Sequence, residues 1–234
     1  MIPETQDALV AIKRSDSDAG IDGLFGYDAS DVETTGTIEV IGSGNLPLAL
    51  SEYGSFLELS GSMFCDDIEI NSTLTPIEIN AFLNLAKRYD KQENYSFRSG
   101  LYISKLMFNS YLNGNSNFSF NFETDIPYKL AKKIIADENR PMKILINGDV
   151  GGFFGHNSQN LDVVINGNCG YNFGRSSNNL TAKFEGNCGD YFGYNSNNFK
   201  VVIKGNCRNR FGFEARDLFV KIDGNVKDEF GIFS

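Results

Sequence analysis

Residues 186–205 read GNCGDYFGYNSNNFKVVIKG, and the pattern in this stretch recurs five times across residues 142–234. One series of glycines has a spacing of 19 residues, and a second series follows it by seven residues, each time directly after a phenylalanine. The three series are Gly148, Gly167, Gly186, Gly205 and Gly224; Gly155, Gly174, Gly193, Gly212 and Gly231; and Phe154, Phe173, Phe192, Phe211 and Phe230. A fixed period of about 20 residues is typical of a solenoid, because each repeat buries its apolar face only by stacking on its neighbours.

Between the two glycine series, apolar and polar residues alternate, which is the pattern of a half-buried β-strand. The apolar members are Leu161, Val163 and Ile165 in one repeat, and Leu180, Ala182 and Phe184, then Phe199, Val201 and Ile203, then Leu218, Val220 and Ile222 in the next three. Strands separated by one period pair in parallel, so like residues stack. The sequence therefore predicts an all-β fold, a single-stranded parallel β-helix, with the phenylalanine series in one interior row.

The glycines and the asparagines beside them mark the corners of each coil. Glycine adopts positive φ without strain, and asparagine does so more readily than most residues. The asparagine series includes Asn168, Asn187, Asn206 and Asn225. Stacked amides hydrogen-bond along the axis of such a stack, so we expect these rows to stabilise turns rather than to bind a ligand.

Cys169, Cys188 and Cys207 occupy one position in three successive repeats, and Val150 and Val226 occupy it in the repeats at either end. Replacement by valine indicates a small apolar core position. A metal site is disfavoured because a straight row does not converge on one tetrahedral centre. A disulfide is disfavoured because the Cβ vectors of in-register residues run parallel.

The repeat resembles that of two protein families in Gly186–Gly193 and in the following Val201-Val202-Ile203-Lys204-Gly205-Asn206. One is the C-terminal domain of the glutamate synthase large subunit, and the other is the formylmethanofuran dehydrogenase subunit that is built on the same repeat. The resemblance covers residues 142–234 and implies a right-handed parallel β-helix that serves as a structural and interdomain element. It also implies membership of a larger complex as an alternative to an independent scaffold.

The sequence of residues 1–141 predicts degenerate coils with an acidic N-terminal arm and two helical insertions. Gly23, Gly42 and Gly61 repeat the 19-residue spacing, which favours coils around residues 20–61, with an unrelated antiparallel sheet as the alternative. Thr75-Pro76-Ile77-Glu78 has the form of a capping box with proline at the first helical position, so we predict a helix over about 75–91. A second helix is predicted over about 127–138. The stretches 95–109 and 118–122 look like strands, either of a hairpin or, as we favour, of further coils.

Composition and charge restrict the class of protein. The chain has 234 residues, a net charge of −9 and a pI of about 4.7, which argues against a nucleic-acid partner. The first residues contain no secretory signal pattern, and no apolar run approaches the ~20 residues of a membrane span. We therefore expect a cytoplasmic protein.

Motifs for catalysis, cofactor binding and metal binding are absent from the sequence, so we assign no catalytic, cofactor-binding or metal-binding residues and expect no cofactor. His156, the single histidine, and the isolated Cys65 receive no role. Arg208, Arg210 and Arg216 form a basic cluster that could bind an acidic partner or the chain's own acidic first 60 residues, of which we favour the second. The sequence predicts a non-catalytic scaffold or protein-interaction protein with a protein partner. An accessory subunit of a complex like those above is the alternative, and a carbohydrate-active enzyme is less favoured.

Overall fold

The computed structural model describes residues 11–12, 45–58, 68–92, 95–122 and 128–227. The helices are α1 (Leu46–Glu58), α2 (Pro76–Ala86, followed by a 3-10 turn at Lys87–Tyr89) and α3 (Tyr95–Leu112). The strands are β1 (Ala11–Ile12), β2 (Asn117–Asn121), β3 (Met142–Asn147), β4 (Gln159–Asn166), β5 (Asn178–Phe184), β6 (Asn197–Ile203) and β7 (Arg216–Ile222). They form one seven-stranded sheet in the order β1-β7-β6-β5-β4-β3-β2.

The strands pair in parallel, and from β3 to β7 the register is that of the repeat. Leu161 lies beside Leu180, which lies beside Phe199, which lies beside Leu218. The connection between successive strands is one coil of the chain, so the predicted parallel solenoid is confirmed.

The interior of the solenoid is filled by rows of like side chains. The rings of Phe154, Phe173, Phe192 and Phe211 stack at 5.0, 4.9 and 4.9 Å between centroids, and neighbouring planes differ by 2°, 9° and 7°. This spacing follows from the strand separation of about 4.8 Å. The predicted interior row is confirmed for these four rings, whereas Phe230 lies outside the described residues.

The corner between strands is a turn in which residues of positive φ alternate with ordinary ones. In one coil these residues are Tyr191 (57°), Gly193 (65°) and Asn195 (51°). Their amides donate to the neighbouring coils, as in Tyr191 N to Asn209 O at 3.0 Å and Gly193 N to Phe173 O at 2.7 Å. The ladder therefore satisfies backbone groups that a loop would expose to water.

The first glycine series is required by the close approach of successive coils. A Cβ atom at Gly186 would lie 2.5 Å from the carbonyl oxygen of Gly167. Beside it, the asparagine row forms the predicted ladder: Asn187 Nδ2 donates to Asn168 Oδ1 at 3.1 Å, and the same oxygen accepts from Asn187 N at 2.9 Å. The interpretation of these amides as turn-stabilising groups is supported.

The predicted helix at 127–138 is wrong. Lys129, Ala131 and Lys133 have φ values of 60°, 58° and 55°, so this segment is a corner turn of the first coil. Its hydrogen bonds run to the next coil, with Gly155 N donating to Leu130 O at 3.0 Å. Leu130 thereby takes the position that phenylalanine has in later coils. Hydrogen bonding between coils has overridden a local apolar pattern that also fits a helix.

The helix predicted at 75–91 is confirmed as α2 with its 3-10 extension. Thr75 is the N-cap, its hydroxyl oxygen accepts from Glu78 N at 3.3 Å, and the Glu78 carboxylate accepts from Thr75 N at 2.8 Å. This reciprocal pair is the capping box that the sequence predicts.

Two other predictions for the N-terminal part are wrong. The stretch 95–109 belongs to α3 and is therefore neither a hairpin strand nor a coil. The predicted strand at 118–122 is confirmed as β2, which pairs in parallel with β3 as a strand of a coil. Residues 46–58 form α1, so they do not belong to the coil that was expected between Gly42 and Gly61. Gly23, Gly42 and Gly61 lie outside the described residues.

The helices cover the β2 end of the solenoid. Asn80 Nδ2 of α2 donates to Ser119 O of β2 at 2.8 Å, and the Tyr111 hydroxyl of α3 donates to Arg140 O at 2.8 Å. Tyr53, Phe82 and Tyr102 join the helices through rings 5.0–5.4 Å apart. A sheet edge left open invites pairing with other chains, and the helices cover the sheet at this end.

The cysteine row is buried in the core. Cys169, Cys188 and Cys207 are free thiols exposed by 6%, 1% and 1%. They pair in register with each other and with Val150 and Val226. Burial raises the pKa of the Cys188 thiol, so it stays protonated. Cys65 lies outside the described residues.

Replacing all three cysteines with valine is expected to change the free energy of unfolding by less than about 1.5 kcal/mol, because volume-conserving core exchanges are well tolerated. The measurement is reversible chemical denaturation of the two purified proteins, with elemental analysis of the unaltered chain. A loss above about 3 kcal/mol, or one zinc or iron per chain, would contradict the interpretation of this row as core packing.

Candidate interaction surface

The outward positions of the corner turns depart from the repeat and carry aromatic and basic side chains on four successive coils. We call this surface the aromatic corner. It consists of Phe153 and His156, then Tyr171 and Arg175, then Tyr191 and Tyr194, then Arg210 and Phe213. The interior phenylalanines lie between them in the sequence, so one turn places one ring inward and its neighbours outward.

The C-terminal half of the aromatic corner is a continuous stack. The Arg175 guanidinium lies 4.7 Å from the Tyr194 ring centre, and Tyr194 stacks on Phe213 at 5.8 Å with planes 5° apart. Arg210 lies 5.2 Å from the Tyr191 ring and donates to its hydroxyl at 2.5 Å. Tyr191 and Tyr194 meet edge to face at 6.0 Å. Cation–π contacts of this kind hold long side chains in place.

The N-terminal half is a second ring cluster. Phe153 contacts Tyr171 edge to face at 5.1 Å and His156 at 5.6 Å. Tyr171 is 42% exposed and lies 6.3 Å from Tyr128 of the first coil. Burial, followed by the neighbouring Tyr128, raises the pKa of Tyr171. Large rings are thus held at the surface rather than in the core.

The aromatic corner is positively charged although the protein is acidic. The four turn segments that carry it, 151–157, 170–176, 189–195 and 208–214, contain three bases and two acids, a net charge of +1 against −9 for the whole chain. One of the two acids, Glu214, raises the pKa of Tyr194 through a side-chain hydrogen bond. The surface therefore favours anionic partners.

The basic cluster predicted from the sequence is only partly reproduced. Arg210 belongs to the aromatic corner, whereas Arg208 and Arg216 are exposed residues for which no contact with its rings is found. Arg175, Tyr191 and Tyr194 were not predicted. A comparison of the variable turn positions, rather than of the repeated ones, would have revealed them.

The outward face of the sheet is a mixed surface. Its residues include Asp162, Lys200 and a salt bridge between Lys204 and Glu185 at 2.7 Å. Burial raises the pKa of Asp162, and Lys143 opposes that effect. Val202 on this face is 5% exposed and Phe219 is 46% exposed. Opposite charges alternate here, so this face is less selective for one sign of charge than the aromatic corner.

A small cavity of about 60 Å³ lies where α3 meets the first coil, lined by Leu101, Ser104, Phe108, Lys132 and Ile134 among others. Binding pockets for small molecules commonly measure about 300–1,000 Å³. Within the described ranges, no group of three or more histidine, cysteine, aspartate or glutamate side chains is arranged to hold a metal ion. In the same ranges, no helix has both the length and the apolar character needed to cross a bilayer.

No protein-family model matches the chain, and no match was found among the curated proteins or the solved structures.

Proposed function

We propose that this protein is a non-catalytic interaction scaffold, and that the aromatic corner binds an acidic protein partner. The observation that carries the proposal is the run of stacked rings and guanidinium groups at the outward turn positions of successive coils. A solenoid of this kind presents an extended surface along its axis.

The composition of the aromatic corner is that of an interface hot spot. Tyrosine and arginine are enriched among the residues that dominate binding energy at protein interfaces. Arg175, Tyr194 and Phe213 are already stacked in the unbound chain. Their order before binding reduces the side-chain entropy lost on association.

Charge selects an acidic polypeptide over a nucleic acid. Arg175 and Arg210 of the aromatic corner attract carboxylates, while the −9 charge of the whole chain repels a polyanion as long as a nucleic acid. Arginine also pairs with carboxylates in a bidentate geometry. A short acidic segment that contacts only the aromatic corner is attracted by its arginines and is little affected by the negative charge of the rest of the chain.

We further propose that the coil is single-stranded and right-handed, as in the two families that its repeat resembles. The connection between parallel strands of one sheet is right-handed in nearly all proteins, which supports this extension. Under this proposal the protein is an accessory component of a larger assembly. An experimental structure showing left-handed coils would contradict the proposed handedness.

The Arg175→Ala/Tyr194→Ala double variant is expected to weaken partner binding at least tenfold, because it removes both ends of one stacked contact. The matched control is Arg208→Ala/Arg216→Ala, which removes two exposed bases that lie outside the aromatic corner. Affinity capture with mass spectrometry identifies proteins lost with the first variant and kept with the second. Binding of the purified candidate is then measured by calorimetry.

Thermal unfolding of both variants separates binding from stability, since surface changes usually shift stability by no more than about 0.5 kcal/mol. Equal affinity of both variants for every captured protein would overturn the proposal. Binding of single-stranded oligouridylate at physiological salt, lost with the first variant, would replace the acidic partner with a nucleic acid.

A further inference from the structure

The two ends of the solenoid are closed by different parts of the chain. The β2 end is covered by the helices. At the opposite end, β7 pairs in parallel with the two-residue strand β1, with Ala11 beside Phe219 and Ile12 beside Val220. These partners are more than 200 positions apart in the sequence, so β1 continues the stack without belonging to the repeat.

We propose that the edge of β7 is a strand-acceptor site that takes the N-terminal segment of this chain by parallel β-augmentation. Main-chain hydrogen bonds give affinity in this mode of binding, and alternate side chains give specificity. The described pairs with β1 lie at Phe219 and Val220, within the strand β7 (Arg216–Ile222). Because the occupant is joined to the repeat only through a distant part of the chain, it can be exchanged for the same segment of a second copy.

The length of the chain between the two ends permits pairing within one molecule. Ile12 lies beside β7, whereas Asn45 donates to Thr73 O at the helical end. Seven strands at about 4.8 Å separate these ends by roughly 29 Å. The intervening 32 residues could reach about 100 Å if fully extended.

Charge is complementary at this site. Residues 1–12 contain Glu4 and Asp7 and no base. The last described coil, 207–227, contains five bases and three acids. Removing the segment exposes a parallel edge with the register of the repeat, which is a template for pairing with another chain.

The test uses a fluorescent peptide with the sequence of residues 1–20 and a variant that lacks residues 1–12. Anisotropy is expected to show saturable binding to this variant, and at least about tenfold weaker binding to the full chain, whose own segment competes at high effective concentration. The control peptide carries Ala11→Pro and Ile12→Pro, which preserves the charge and removes two backbone donors. A scrambled peptide of the same composition detects binding by charge alone.

Hydrogen exchange of the full chain provides a readout that does not depend on the truncation. The Ala11→Pro/Ile12→Pro variant of the full chain is expected to raise exchange of β7 amides at least about tenfold while β4 and β5 stay protected. Unchanged β7 exchange, failure of the peptide to bind the folded truncated chain, or equal binding of the scrambled peptide would each overturn the acceptor site. This proposal is independent of the aromatic corner, and its failure would leave partner capture by Arg175 and Tyr194 unaffected.

Discussion

Replacing Phe192 with alanine is expected to lower the free energy of unfolding by about 3–5 kcal/mol. The ring is fully buried, stacks on Phe173 and Phe211 at 4.9 Å, and meets Phe184 edge to face at 5.3 Å. The coils above and below are held by backbone ladders, so they cannot collapse into the space left by the ring. The cavity term therefore adds to the lost transfer free energy.

Reversible denaturation in urea measures this effect. The matched control is Phe219→Ala, which removes a ring that is 46% exposed, with an expected loss below about 1 kcal/mol. Equal losses for the two variants, or a loss below about 1 kcal/mol for Phe192→Ala, would show that the phenylalanine row does not stabilise the stack.

The Gly100→Ala variant is expected to destabilise the protein by about 3 kcal/mol, the upper end of the usual range for overpacking. Gly100 lies in α3, where the same change normally stabilises a helix by about 0.5–1 kcal/mol. A Cβ atom at this position would lie 1.7 Å from the carbonyl oxygen of Tyr128. Backbone occupies that space, so α3 must move away from the first coil.

Gly54→Ala in α1 is the control for helix propensity. Its Cβ atom would lie 3.2 Å from the Tyr89 hydroxyl, which is the end of a side chain that can shift. We expect this variant to be within about 1 kcal/mol of the unaltered protein in thermal unfolding. Stabilisation by Gly100→Ala would contradict the close packing of α3 on the coil.

The regular coils and their register are determined by the sequence alone. A 19-residue period brings like residues together, so the interior positions of Phe192, Cys188 and Leu180 follow from spacing without knowledge of contacts. The start of α2 is also local, because the Thr75–Glu78 capping box requires only four consecutive residues.

α1, α3 and the first coil depend on tertiary structure. α1 has apolar residues at Leu46, Ala49, Leu50 and Tyr53. This helical spacing lies in the interval between Gly42 and Gly61, which the glycine period assigned to a coil. α3 is buried on nearly every side between the other helices and the first coil, so it lacks the polar face that reveals a helix.

The candidate sites are determined partly by the sequence and partly by the tertiary structure. Arg210 is recognisable as part of a basic cluster, but its contacts with Tyr191 and Phe213 exist only when two coils stack. The pairing of β1 with β7 joins segments that no repeat relates. Periodicity determines which residues stack along the solenoid. The outward surface and the ends of the solenoid depend on contacts between segments, and neither local sequence predicts such a contact.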